Sequence, residues 1–178
     1  MSEGNGISAK SSVYERIEAF FDAGSFVEID KYLERSNAVE HYPDVSAPGE
    51  GVVAGWGMVD GRSAYIAAQN YEVLRGPFSA AHAQKICKVI DMAAQNGLPV
   101  LFLWDSGGAR VQEGAAAMGA YSAVMKKLAD VSGVIPTISV VLGGMNGCAA
   151  LFAALTEDVA EELVELYTKV HSDFASLP

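Results

Sequence analysis

The chain has 178 residues, a net charge of −10 and a 51% hydrophobic, 19% charged composition. That length bounds it to one or two domains, and that composition excludes disorder and supplies a sizeable apolar core. The acidic balance excludes a duplex nucleic acid partner, which needs clustered Lys and Arg, and no run of about 18 apolar residues offers a transmembrane helix.

The opening Met1-Ser2-Glu3-Gly4-Asn5-Gly6 lacks the basic and apolar regions of a signal peptide, so the expected location is the cytoplasm. Residues 1–11 read as a flexible tail and 12–178 as a single domain. Ser12 and Glu15 form a capping box ahead of a helix carrying Val13, Ile17, Phe20 and Phe21, with Gly24 as its stop. Residues 36–51 are loop-like. Two strand patterns, 52–59 and 63–68, flank Asp60-Gly61, the signature of a type I′ hairpin. Ser79 caps a helix with His82, Ile86, Val89, Ile90 and Ala93 on one face, closed by Gly97 and Pro99.

Val100 to Trp104 is a continuous apolar run, as in a strand buried on both faces. Asp105-Ser106-Gly107-Gly108-Ala109 follows, then a helix from about Gln112 to Asp130 with Met118, Tyr121, Met125 and Leu128 inward. Thr137 to Leu142 is a second buried strand, Gly143 to Gly147 a second glycine loop, and Cys148 starts another helix. From Glu157 to Ser172 an amphipathic helix is expected, with Val159, Leu163, Leu166, Tyr167 and Val170 on its stripe and acids on its solvated face. Strands alternating with helices predict an α/β layered fold.

The repeated unit of strand, glycine turn and helix carries the functional signal. Each turn lies at the carboxyl end of its strand, where open α/β sheets bind ligands. Amides at a helix start favour negative charge, and two such turns can converge on one anionic oxygen. Neither turn matches a dinucleotide or nucleotide-phosphate pattern, and no G-x-S-x-G elbow is present. The two cysteines, Cys87 and Cys148, and the three histidines, His41, His82 and His171, lie far apart, so no metal site is expected. Arg75, Lys85, Lys88 and Arg110 form a modest gathering of bases in an otherwise acidic chain.

The run Asp105-Ser106-Gly107-Gly108-Ala109-Arg110-Val111-Gln112-Glu113-Gly114 resembles the signature of biotin-dependent acyl-CoA carboxyltransferase subunits, the family of propionyl-CoA carboxylase beta and of the methylmalonyl-CoA decarboxylase and transcarboxylase large subunits. Ala81 to Ile86, Gly24 to Glu28, Ser132 to Pro136 and Gly143 to Thr156 extend the resemblance. It implies a crotonase-like spiral of ββα units. It also implies an acyl-CoA substrate and a carboxyl group exchanged with biotin on a partner carrier protein, without a metal.

By the same resemblance, amides around Gly107, Gly108 and Ala109 and around Gly147 and Cys148 would hold an enolate or ureido oxyanion. Arg75, Ser79, His82, Lys85 and Arg110 would lie along the coenzyme A side. Where the family has Gly-Gly, this chain has Gly147-Cys148. Family members carry two crotonase-like halves, and this chain reads as an N-terminal half shortened near 156/157. That implies a second carboxyltransferase half or a homo-oligomer as partner, and contact with a membrane only through a decarboxylase complex. Two other readings stand beside it: a non-catalytic assembly module, and a crotonase- or ClpP-like acyl hydrolase with Ser106 or Cys148 as nucleophile.

Overall fold

The computed structural model describes residues 12–33, 47–145 and 147–160. The expected N-terminal tail, His41, His171 and the stretch from Glu161 onward lie outside the described residues. Six strands form one sheet in sequential order: β1 (Val27–Ile29), β2 (Val52–Val59), β3 (Arg62–Gln69), β4 (Val100–Ser106), β5 (Thr137–Met145) and β6 (Asp158–Ala160). The first three pair antiparallel, and the pairs from β3 to β6 are parallel. Parallel neighbours need crossovers, and the helices α2 (Ala80–Asn96), α3 (Ala115–Val131) and α4 (Ala150–Ala154) supply them.

The hairpin between β2 and β3 turns at Asp60-Gly61 with φ of 50° and 75°, both positive as a type I′ turn requires. Asp22 braces that turn, its carboxylate accepting from the Asp60 and Gly61 amides at 3.1 and 2.9 Å.

Side-chain alternation along the strands splits the core in two. Val52, Ala54, Tyr65, Ala67, Phe102 and Trp104 face α2 and α3. Val53, Ile66, Ala68, Leu101, Leu103 and Val140 face helix α1 (Val13–Phe20). Because β4 is buried along its whole length, it carries apolar residues on both faces, which explains its unbroken hydrophobic run.

The capping box forms as expected: Ser12 Oγ accepts from Glu15 N at 3.3 Å and Glu15 returns the contact to Ser12 N at 2.8 Å. Ser79 caps α2, and Gly97 ends it in the left-handed conformation.

Several expectations need correction. Helix α1 ends at Phe20, not at Gly24, because Phe21 turns extended and packs into the core. Residues 111–113 form a separate 3₁₀ turn, and Gly114 (φ 55°, ψ −127°) breaks it from α3. Met118 is 56% exposed; Ala117, Ala120, Tyr121, Val124, Leu128 and Val131 make the buried face instead. Gly143 to Met145 continue β5 rather than forming a loop, paired with β4 across a register irregularity between Trp104 and Ser106. Residues 158–160 are a strand beside β5, not the start of a helix, because their backbone completes the ladder of Ile138 to Val140.

Candidate functional site

The two glycine segments leave the sheet side by side, because Ser106 at the end of β4 pairs with Met145 at the end of β5. Below them lies an aromatic cluster. Phe78 stacks on Tyr121 at 4.5 Å, and Phe152 lies 5.2 Å from Phe78 and 5.3 Å from Trp104. Burial, with the nearby Cys148 adding to it, pushes the Tyr121 phenol up to about 12, so it stays protonated.

In the first segment most amides are already engaged. Gly107 N donates to Arg75 O at 2.9 Å and Gly108 N to Ser106 Oγ at 3.2 Å. Phe78 lies parallel beside Ala109, donating to Gly108 O at 2.8 Å and accepting from Arg110 N at 3.0 Å. That bracketing leaves the Ala109 N–H directed away from Phe78, as in any parallel pair where the neighbours carry the bonds. Among the described residues no hydrogen bond engages the Ala109 amide.

The close passage behind this segment depends on Gly76. It has φ 61°, and a Cβ there would lie 2.6 Å from Asp105 O. Ser106 Oγ is fully buried and donates to Gly76 O at 2.7 Å, so its proton is engaged in holding the turn.

The second segment is built differently. Gly147–Ala149 form a 3₁₀ turn leading into α4, and the first amides of such an element have no partner within it. Cys148 is half-buried beside the aromatic cluster. Gly143, on β5, lies so close to the Asp105 carboxylate that a Cβ would meet its Oδ1 and sit 2.9 Å from its Cγ.

A chain of buried polar contacts runs beneath the first segment. Arg16 on α1 donates to Asp105 Oδ2 at 3.1 Å, and Asp105 N donates to Gln69 Oε1 at 2.9 Å. Gln69 Nε2 meets His82 Nε2 at 3.3 Å, and His82 Nδ1 meets Glu50 O at 3.0 Å. One tautomer satisfies all of these: Nδ1–H donates to Glu50 O and Nε2 accepts from the Gln69 amide. Full burial pushes the His82 imidazole down to about 3, keeping it neutral. Ser79 Oγ accepts from His82 N at 3.0 Å and donates to Glu50 Oε2 at 2.9 Å.

The structure therefore scatters the bases that sequence had gathered. Lys85 is buried, its Nζ donating to Gly49 O at 3.2 Å and Val52 O at 2.6 Å, and burial lowers its pKa. Lys88 pairs with Asp30 at 2.8 Å. Arg110 turns inward onto Glu50 at 2.8 Å and Glu113 at 3.4 Å. Arg75 is exposed, with no ion pair among the described residues. Of the expected positions, Gly107, Gly108 and Ala109 follow the end of β4, and Gly147 and Cys148 follow the end of β5, the strand ends themselves pairing at Ser106 and Met145. Ser79, His82 and Arg110 join the polar chain behind them.

Sequence reasoning missed Arg16, Glu50 and Gln69. Glu50 lay in a stretch read as loop, and no periodicity marks the other two; the one available signal was a charged or amide residue set among apolar ones. No group of three metal-ligating side chains occurs among the described residues, and no helix among them is long and apolar enough to cross a membrane.

Comparison with known proteins gives the family. Propionyl-CoA carboxylase beta chain of Cereibacter sphaeroides is 45% identical over 148 residues, covering 83% of this chain and 29% of that protein. Methylmalonyl-CoA decarboxylase subunit alpha of Propionigenium modestum is 41% identical over 150 residues, covering 84% and 29%. The crystal structure of transcarboxylase 12S, a hexamer with hydrolysed methylmalonyl-coenzyme A bound, superposes with a TM-score of 0.77 at 30% identity, covering 85% of this chain and 30% of that one. This chain thus spans about three tenths of the length of the curated relatives it matches. Its fold is the crotonase-like α/β fold of these carboxyltransferases, here with one ββα unit (β2, β3, α2) followed by single-strand βα units. The family described as carboxyl transferase domain matches residues 8–161, and the chain belongs to it.

Proposed function

We propose that this chain forms part of an acyl-CoA carboxyltransferase site, in which backbone amides of the two glycine segments stabilise the oxyanion formed during carboxyl transfer. The observation that carries this reading is the Ala109 amide. It is the one amide of residues 107–109 with no hydrogen bond among the described residues, and its segment leaves β4 at Ser106, which pairs with Met145 on β5 just ahead of the second segment. Carboxylation or decarboxylation next to a thioester develops charge on the thioester oxygen. Fixed donors that meet this charge stabilise the transition state more than the ground state.

The residues fit such an oxygen, because they offer a backbone amide, at Ala109, that no other group among the described residues occupies. They fit coenzyme A phosphates less fully, since among the described residues Arg75 alone of the four bases is exposed without an ion pair. Biotin, carried by a partner protein, would give or receive the carboxyl group when bound. Ala109 and the Gly147-Cys148 amides would each orient one oxygen, and the aromatic floor of Phe78, Tyr121 and Phe152 would exclude water. A second carboxyltransferase half or a further copy would close the site opposite these amides.

The hydrolase reading has less support, because Ser106 Oγ is buried and committed to Gly76 O, with no base on it among the described residues. A radiolabelled carboxyl exchange assay tests the proposal, using malonyl-type CoA thioesters as donors to biotin and the chain joined to its completing half. Label transfer that stops when Ala109 is altered is the expected result. Thioester hydrolysis with no label on biotin, or covalent labelling of Ser106 or Cys148 by an acylating probe, would overturn it in favour of hydrolysis. Acyl-CoA binding with neither reaction would indicate a non-catalytic module.

A further inference from the structure

We propose that Arg110 is a positioning residue that fixes the Ala109 amide through Glu50 and Glu113. The inference rests on the reading of Ala109 given above. Arg110 follows Ala109 directly and is held at both ends. Its backbone N donates to Phe78 O at 3.0 Å, and its Nη1 reaches Glu50 Oε2 at 2.8 Å and Glu113 Oε1 at 3.4 Å.

Both carboxylates are themselves anchored at the start of α2. Glu50 Oε2 accepts from Ser79 Oγ at 2.9 Å, and Glu113 Oε2 accepts from Ala80 N at 2.9 Å. The glycine segment is thereby tied to a rigid helix end by side chains only 14% (Arg110), 2% (Glu50) and 0% (Glu113) exposed.

The arrangement is poorly suited to stability alone. Arg110 Nε and Nη2 are buried with no hydrogen-bond partner among the described residues, and a buried ionic triad is often replaced by apolar or neutral groups without loss. Its effect is geometric instead. With the amides of Gly107 and Gly108 engaged elsewhere, the orientation of the Ala109 N–H follows where Arg110 is pinned. A mispositioned donor weakens the transition state without weakening ground-state binding to the same degree.

The test compares wild type with the triple variant Arg110→Met, Glu50→Gln, Glu113→Gln, with Glu50→Gln alone and with Arg110→Lys. It reads the ¹⁵N order parameter of Ala109 in the chain, and kcat and KM in the carboxyl exchange assay with the completing half. We expect the triple variant to melt close to wild type while the Ala109 order parameter falls from about 0.85 toward 0.6. In the same variant kcat should drop ~10-fold or more with KM within about twofold. Arg110→Lys, with one point charge and no fork, should recover part of both.

If the triple variant fails to fold, the near-isosteric Glu50→Gln decides by the same readouts. A rigid Ala109 with unchanged kcat in the folded variants overturns the proposal. If an ester at the Ala109 amide leaves kcat unchanged, the oxyanion reading fails, and the order parameter still decides whether Arg110 fixes the segment.

Discussion

The two glycine segments occupy neighbouring strand ends, yet they are held by different means. The first, after β4, is tied backbone to backbone with Arg75 and Phe78, backbone to side chain with Ser106, and through Arg110 to two buried carboxylates. The second, after β5, is positioned by the strand ladder and by the tight passage of Gly143 against Asp105, and it ends in the first turn of a short helix. In the first segment hydrogen bonds engage the Gly107, Gly108 and Arg110 amides, and among the described residues none engages that of Ala109. In the second, the amides are those of a 3₁₀ turn and helix start, which find no partner within the element itself. A donor fixed by a polar network is sensitive to charge and hydrogen-bond changes, whereas one fixed by steric contact is sensitive to volume.

The largest effect expected from that contrast is on stability. Glu50→Ala leaves Arg110 and Ser79 without their shared acceptor in a buried site and should cost about 3 kcal/mol or more, because one partner of a buried pair is removed. Urea unfolding measures it. A loss under about 1 kcal/mol would show that the first segment does not depend on its network.

Next comes the amide itself. An ester replacing the Ala109 N–H, introduced as lactate at that position, should lower kcat in carboxyl exchange by ~10²–10³-fold. The same exchange at Gly108, whose amide serves Ser106, should lower stability more than kcat. Equal kcat losses at both positions would erase the distinction between them.

On the second segment, Gly143→Ala places a methyl group into the Asp105 carboxylate and should cost about 1–3 kcal/mol, the range for overpacking. Pairing it with Asp105→Ala should recover part of that loss if steric contact is the cause. Additive losses in the double variant would instead mean that the two residues act separately.

A pH dependence sharpens the contrast further. The folded His82 pKa is depressed to about 3 from its ordinary 6.5. Between these values the unfolded chain binds a proton that the folded chain does not. Stability is therefore intact above about pH 6.5 and falls as pH drops toward 3, by up to about 1.4 kcal/mol per pH unit. The His82→Gln variant should lose that component of the slope when melting is followed from pH 7 to 4, and an identical slope would mean that His82 titrates normally in the fold.

The smallest effect concerns Arg75, which is exposed at the edge of the first segment. Arg75→Ala should weaken acyl-CoA binding by only a few-fold at low salt, with the difference vanishing near 1 M salt as the exposed charge is screened. Calorimetric titration at both ionic strengths checks it. A loss that persists in high salt would mean a buried contact rather than charge attraction.

Much of this fold was legible from local pattern. The capping box of Ser12 and Glu15, the Asp60-Gly61 hairpin, the Ser79 cap and the buried β4 run each rest on interactions within a few residues or on a simple burial period. The family motif from Asp105 to Gly114 likewise indicated the carboxyl transferase family. The errors fell where neighbours distant in sequence decided the outcome. Gly143 to Met145 look like a loop in isolation, but a partner strand keeps them extended. Val159 fits a helical stripe, yet the free side of β5 takes residues 158–160 as a strand.

The sequence by itself determined the α/β class, the helix starts capped by Ser12 and Ser79 and the Asp60-Gly61 turn, because each depends on short-range sterics and periodicity. The tertiary structure alone decided which amides stay free and which bases stay available. Arg75 O and Ser106 Oγ occupy the Gly107 and Gly108 donors. Glu50, a segment read as loop, draws Arg110 inward, and two backbone carbonyls take up Lys85. The physical reason is that a buried polar group must find a partner. Which partner it finds depends on what the fold brings within hydrogen-bonding distance.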